Sequence, residues 1–214
     1  LAAQRRDLKH EDRLFKILCD YSSRLAGLEV RVRGGQSIDQ AKTHVYVCNH
    51  VNIFDLFVMY QAIPQLVRAL EHADHFEWPL VGPFITAAGQ IPLDPNVPLS
   101  AARGLRRAAS YLEQGISLAV LPEGERTLDG TVGPFYSGAF RLAIKAKVPV
   151  VPMAIRGGRR ISRRGDWRMR AGAEEVLLGA PIPTSALHLR DATALATTAR
   201  QAVIDLLHGR IEPS

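Results

Sequence analysis

Residues 43–62 read Thr43-His44-Val45-Tyr46-Val47-Cys48-Asn49-His50-Val51-Asn52-Ile53-Phe54-Asp55-Leu56-Phe57-Val58-Met59-Tyr60-Gln61-Ala62. Four of the first six are apolar and the six are rich in β-branched and aromatic types, as a buried strand requires, and residues 53–62 read as a helix that follows directly. The same handover repeats outward along the chain. Residues 28–33 alternate apolar and charged side chains, as a half-exposed strand does, and end at Gly34-Gly35. Residues 66–70, 117–121, 150–155 and 175–178 are further strand candidates, and 88–95 read as a small strand leading to a turn. Residues 84–88, 99–114, 138–147 and 190–207 read as helices. Strands alternating with helices predict an α/β fold: a single domain whose mostly parallel or mixed sheet is flanked by helices. Active sites in such sheets lie beyond the carboxyl ends of strands. Residues 1–27 precede this domain, which spans 28–214. Leu14, Phe15, Leu18, Tyr21 and Leu25 give residues 10–25 the spacing of an amphipathic helix, which packs on the core or lies on a membrane.

The chain has 214 residues, 47% of them hydrophobic, enough for one substantial core. Its formal charge of +6 calls for an acidic partner: an anionic membrane surface, a phosphorylated substrate or nucleic acid. Nucleic acid ranks last, because no zinc finger, aromatic–basic RNA motif or basic zipper is present. Cys19 and Cys48 are in apolar surroundings and read as small core residues in a reducing compartment. Neither has zinc-site spacing, and no metal is expected. No apolar run reaches the ~18 to 20 residues that span a bilayer. The expectation is attachment at the cytoplasmic face of a membrane, peripherally or through a segment outside this chain.

Two blocks carry chemistry. In Asn49-His50-Val51-Asn52-Ile53-Phe54-Asp55, imidazole is a natural general base, and a carboxylate on its far nitrogen would fix its tautomer. Residues five apart on one helix point roughly 140° away from each other. The pair meets only if His50 lies in the turn before the helix and Asp55 in its first turn. Asn52 would cap that helix, with Asp55 at its third position. Alone, the pair also reads as a loop histidine and a helix-start aspartate. In the second block, Leu121-Pro122-Glu123-Gly124-Glu125-Arg126-Thr127, a tight turn brings Glu123 and Arg126 to a strand end, where Arg suits phosphate recognition. It also reads as a surface turn. Residues 88–95 and the proline-bracketed 148–155 are structural patterns when taken singly.

Together these four blocks resemble the glycerolipid acyltransferase family, typified by 1-acylglycerol-3-phosphate acyltransferase. Asn49, His50 and Asp55 match its Asn-His-x4-Asp motif, and Pro122, Glu123, Gly124 and Arg126 its Pro-Glu-Gly-x-Arg motif. Gly89, Ile91 and Asp94 match a third motif, and residues 148–152 a fourth. The similarity covers roughly residues 30–183. It implies transfer of a fatty acyl group from acyl-CoA or acyl carrier protein, as donor substrate rather than cofactor, to a lysolipid hydroxyl. His50 would be the general base and Asp55 would orient it, while Glu123, Gly124 and Arg126 would meet the acceptor. No covalent acyl-enzyme is implied, although strand alternation leaves a Cys48 nucleophile as an alternative. Basic positions usual in the family are Pro95, Glu71 and Tyr136 here, and Glu125 replaces a hydroxyl residue. These departures favour an acceptor with a neutral or cationic head, such as a lyso-aminolipid, over lysophosphatidic acid.

Arg156, Arg159, Arg160, Arg163, Arg164, Arg168 and Arg170 surround Trp167. Clustered Arg with Trp suits anionic headgroups, the phosphates of a donor or an acidic carrier. Rival functions are a His50-dependent acyl thioesterase and a non-catalytic lipid- or carrier-binding module.

Overall fold

The structure, a computed structural model, describes residues 2–79, 81–162, 168 and 170–214. In chain order the described elements are α1 (Ala2–Leu25), β1 (Leu28–Gly34), β2 (Val45–Cys48), α2 (Asp55–Ala62), β3 (Val67–His72), α3 (Val81–Ala87), β4 (Ile91–Leu93), α4 (Pro98–Glu113), β5 (Ser117–Val120), α5 (Gly138–Ala146), β6 (Val150–Arg156), α6 (Gly158–Ile161), β7 (Gly172–Leu178) and α7 (Ala192–Leu207). The seven strands form one sheet in the order β1-β7-β6-β2-β5-β3-β4. Every neighbouring pair is parallel except β6 and β7, which are antiparallel. The mixed α/β sheet with flanking helices is the architecture that the alternating pattern predicts.

All four residues of β2 are fully buried because it lies mid-sheet between β5 and β6. Period-2 alternation sends Tyr46 and Cys48 to one face, among Phe15 and Cys19 of α1 and Leu56, Met59 and Tyr60 of α2. Val45 and Val47 face the other way, onto Ala108 and Leu112 of α4, Phe140 of α5 and Leu195 and Ala199 of α7. Each Val, Leu, Phe or Met side chain so removed from water stabilises by roughly 1.5–3 kcal/mol.

Helix α1 has two faces. Phe15 and Cys19 are buried on the body, whereas Leu14, Ile17, Leu18, Tyr21 and Leu25 are exposed. A buried ion pair fastens it: Arg68 Nη1 of β3 lies 3.1 Å from Asp12 Oδ1, with both side chains almost inaccessible. Asp12 also accepts from the Val67 backbone N–H at 3.2 Å.

Some boundaries differ from the sequence reading. Helix α2 begins at Asp55, two residues later than the apolar pattern suggests. The final helix is preceded by a separate 3-10 turn, Leu189–Asp191, and the basic stretch contains the short helix α6. Pro152 lies inside the central strand β6, a position where proline usually breaks a ladder. Its carbonyl accepts from Gly179 N–H at 2.9 Å, so its missing N–H also faces β7, level with the end of that strand. Only the reciprocal bond of that last pair is forgone.

Candidate active site

Strands β2, β5, β3 and β4 are adjacent and parallel, so their carboxyl ends open on one edge of the sheet. The chain leaves β2 at Asn49, which is buried and uses its side chain as a substitute ladder partner. Asn49 Nδ2 donates to Ile155 O at 3.1 Å and Oδ1 accepts from Ile155 N–H at 2.8 Å. His50 is thereby placed just past the strand.

The turn that follows closes around Asp55. Its Oδ2 accepts from the backbone N–H groups of Val51 at 2.6 Å and Asn52 at 2.9 Å, and lies 2.7 Å from His50 Nδ1. An oxygen already accepting two N–H groups offers lone pairs, so Nδ1 is the donor and Nε2 carries the free lone pair. This is the arrangement the five-residue spacing demands, His50 in the turn and Asp55 at the helix start. Asn52 does not cap α2. Its Oδ1 accepts from Phe54 N–H at 2.6 Å, one residue before the helix begins. Asp55 is wholly inaccessible and His50 is 17% exposed, so of the pair only the imidazole reaches outward.

The second block pins His50 by its backbone. Glu123 Oε1 accepts from His50 N–H at 2.7 Å and Oε2 from Gly133 N–H at 2.6 Å. His50 O in turn accepts from Thr127 N–H at 3.0 Å. Both Glu123 oxygens are therefore engaged with backbone, a bracing role that the motif alone does not reveal. Burial raises the Glu123 carboxyl above its ordinary pKa, and the two backbone N–H groups pull it back. Gly124 has φ +77°, and a Cβ there would lie 2.7 Å from Tyr136 Cε2, so both conformation and space require glycine. Arg200 of α7 holds the far side of this loop, donating to the carbonyls of Val132 and Gly133.

His50 opens onto a cavity of about 470 Å³. Leu70, Leu93, Leu105, Val120 and Leu121 supply apolar walls, and Glu71, His72, His75, Glu125 and Arg126 supply polar ones. Gly124 and Arg126 thus line the same cavity as His50, whereas Glu123 stands behind it. Glu71 Oε2 accepts from His75 Nδ1 at 2.8 Å, and the motif reading missed both histidines. Nothing in their spacing marks them, since the end of β3 carries His72 to the cavity and the 3-10 turn Ala73–Glu77 after it carries His75.

Cys48 faces the α1 and α2 layer, is fully buried, and has its thiol pushed well above the ordinary range by burial and then by Asp55 and Glu123. Both its burial and its raised pKa disfavour a thiolate. Among the basic residues, Arg156 pairs with Glu175 at 3.4 Å and donates to Leu206 O at 2.8 Å, Arg159 lies over Gly130, and Arg160 is exposed. Arg163, Arg164 and Trp167 lie outside the described residues. Among the described residues no group of His, Cys, Asp and Glu has metal-binding geometry, and no helix is long and apolar enough to cross a membrane.

A family model described as acyltransferase matches residues 29–156. The chain is 29% identical over 159 residues to a 1-acyl-sn-glycerol-3-phosphate acyltransferase of Limnanthes douglasii, covering 74% of this chain and 56% of that protein. It is 28% identical over 193 residues to the human 1-acyl-sn-glycerol-3-phosphate acyltransferase alpha, covering 90% and 68% respectively. The matched part spans about half the length of the plant relatives, from 44% to 57%. Its fold is that of the crystal structure of PlsC, the 1-acyl-sn-glycerophosphate acyltransferase of Thermotoga maritima, with a TM-score of 0.82 at 21% identity over 97% of this chain and 82% of that one.

Proposed function

The chain belongs to the acyltransferase family, and on that premise we propose that it moves a fatty acyl group from acyl-CoA or acyl carrier protein to the hydroxyl of a lysolipid. The observation that carries this reading is the 2.7 Å His50–Asp55 contact, which turns a free Nε2 lone pair toward a cavity with apolar and polar walls. His50 Nε2 takes the proton of the acceptor hydroxyl as its oxygen attacks the thioester carbonyl. Asp55, buried and charged, favours the imidazolium that forms. When the tetrahedral intermediate collapses, the C–S bond breaks and the imidazolium returns the proton to the leaving thiolate. No protein nucleophile is needed, in keeping with the buried Cys48. The reaction builds phospholipid, and the relatives' names favour a glycerophosphate acceptor.

A second acceptor has its own support. Glu71 and Glu125 line the cavity together with a single arginine, Arg126, among the described residues. That balance disfavours a phosphate monoester and suits a neutral or amino-bearing headgroup. The membrane is the natural partner of α1, whose apolar stripe from Leu14 to Leu25 points away from the body beside Arg13 and Arg24. Arg159 and Arg160 would add attraction to anionic headgroups or to donor phosphates, along with Arg163, Arg164 and Trp167.

The test supplies radiolabelled palmitoyl-CoA or palmitoyl carrier protein with lysophosphatidic acid or a lyso-aminolipid in liposomes, using wild type and His50→Ala. A diacylated product lost in His50→Ala supports transfer, and the productive headgroup names the acceptor. His50-dependent free fatty acid with every acceptor would replace the proposal with a thioesterase. Liposome binding unchanged in Leu18→Glu/Tyr21→Glu would remove α1 from the membrane.

A further inference from the structure

Behind the His50 turn, on the side that does not line the cavity, a carboxyl is buried in β7. Glu174 has no accessible surface and shares its strand face with Val176, part of the apolar cluster between the sheet and helices α1 and α2. An ionisable side chain is costly at such a place unless it is paired or neutral. Its Oε1 accepts from Asn52 Nδ2 at 2.6 Å, and its Oε2 is buried without a hydrogen-bond partner among the described residues.

Asn52 is the link to the chemistry. Its backbone N–H donates to the same Asp55 oxygen that holds His50, its Oδ1 accepts from Phe54 N–H, and its Nδ2 is committed to Glu174. The amide therefore has one orientation, since a flip would set donor against donor at Phe54. The β6–α6 corner closes over the pair. A Cβ on Gly158 would lie 2.6 Å from Asn52 Nδ2, 2.8 Å from Val51 Cγ2 and 3.0 Å from Glu174 Oε1.

We propose that Glu174 is a positioning residue for the His50–Asp55 pair, acting through Asn52 and working as the neutral acid. Val30 lies beside it on β1, Gly158 closes over it from α6, and the turn presents Asn52 and the Asp55 carboxylate. Glu175, the next residue, turns to the opposite face and pairs with Arg33 and Arg156. Asp55 is the one charged group acting on Glu174 among the described residues, and it opposes ionisation. In agreement, burial first and the Asp55 charge second push the Glu174 carboxyl up to about 7. Ionised Glu174 would set a second buried carboxylate against the one that orients the base. This role rests on the acyl-transfer reading, although the geometry it fixes does not.

The experiment uses the whole chain with Glu174→Gln and Glu174→Leu and has two readouts. Ring ¹⁵N shifts of His50, assigned by the signal missing in His50→Gln, report the tautomer without any substrate. Acyl-transfer kinetics between about pH 6 and 8 give kcat and KM near the expected Glu174 titration. Gln reproduces the neutral acid, so it should keep the single Nδ1–H tautomer and a kcat within about threefold at pH 6, with its kcat relative to wild type rising toward pH 8. Leu should mix the tautomers and lower kcat about 30-fold or more with KM nearly unchanged. A Leu variant with wild-type tautomer and kcat would overturn the positioning role. A Gln variant as poor as Leu, or one whose ratio to wild type stays flat with pH, would overturn the neutral form. If Leu does not fold, the Gln tautomer and pH ratio still decide. Absence of turnover in wild type counts against the transferase reading alone, because the tautomer comparison stands without it.

Discussion

Replacing Glu123 by Gln separates two roles for this residue: brace and acceptor contact. The carboxylate accepts two backbone N–H bonds, from His50 at 2.7 Å and Gly133 at 2.6 Å. The amide has one oxygen, so it can satisfy only one of them and presents its NH2 to the other, donor against donor. A lost hydrogen bond to a charged group is worth about 1.5–3 kcal/mol. Burial of the charge, which raises the Glu123 pKa, offsets part of that, so about 2 kcal/mol is the expected loss. For a domain of this size, that lowers Tm by roughly 4–8 °C. One of the two bonds that hold the His50 turn through Glu123 is lost whichever way the amide points, and small displacements of a base are expensive, so kcat should fall about 10- to 100-fold. The acceptor KM should stay within about threefold, because binding contacts are untouched. Thermal melts with acceptor-saturation kinetics measure both. An unchanged Tm with a KM raised tenfold would refute the brace and return Glu123 to the headgroup, as its motif suggests.

Asp55→Asn keeps the shape but removes the charge and the tautomer control, so kcat should drop by about 10⁴, near 5 kcal/mol, with little change in KM. Cys48→Ala should leave kcat within about threefold in the same assay, because the buried thiol holds its proton, and a loss like that of His50→Ala would restore the nucleophile alternative. Glu174→Gln should change how stability varies with pH, measured by urea unfolding. The folded carboxyl is raised from 4.5 to about 7, so as pH rises the unfolded chain loses its proton first and wild-type stability falls between those values. Gln does not titrate, so the variant should gain up to about 3 kcal/mol on wild type between pH 4 and pH 8. A difference that does not vary with pH would show that Glu174 folds with an ordinary pKa.

Local features were legible in the sequence. The apolar run of β2, the alternation of β1 and the junction between β2 and α2 follow from spacing alone, and so does the demand that His50 precede the helix that Asp55 begins. Features made by distant partners were not. Glu123 sits in a motif, but the groups that use up its oxygens lie 73 residues before it and 10 after it. Of the two readings of residues 10–25, packing on the core is what Phe15 and Cys19 show, and the outward stripe of α1 leaves the membrane reading a proposal. Asn52 was read as a cap because helix starts favour it, but Asp55 took the turn's N–H groups and moved the start forward.

Glu174 shows why topology had to be known first. Its partner lies 122 residues away, and in a wholly parallel sheet the start of β7 would lie at the edge opposite the site. The antiparallel pairing of β6 and β7 reverses that. With Arg156 opposite Glu175, the first half of β7 lies at the carboxyl end of β6, level with the turn that leaves β2. A charge in an apolar strand looks like an outward-facing residue until that reversal is seen. The alternation Glu174, Val176, Leu178 carries the signal, since the last two belong to the core under α1 and α2 and the first shares their face. The reversal at β7 thus gives the His50 turn a support from behind that a wholly parallel sheet could not deliver.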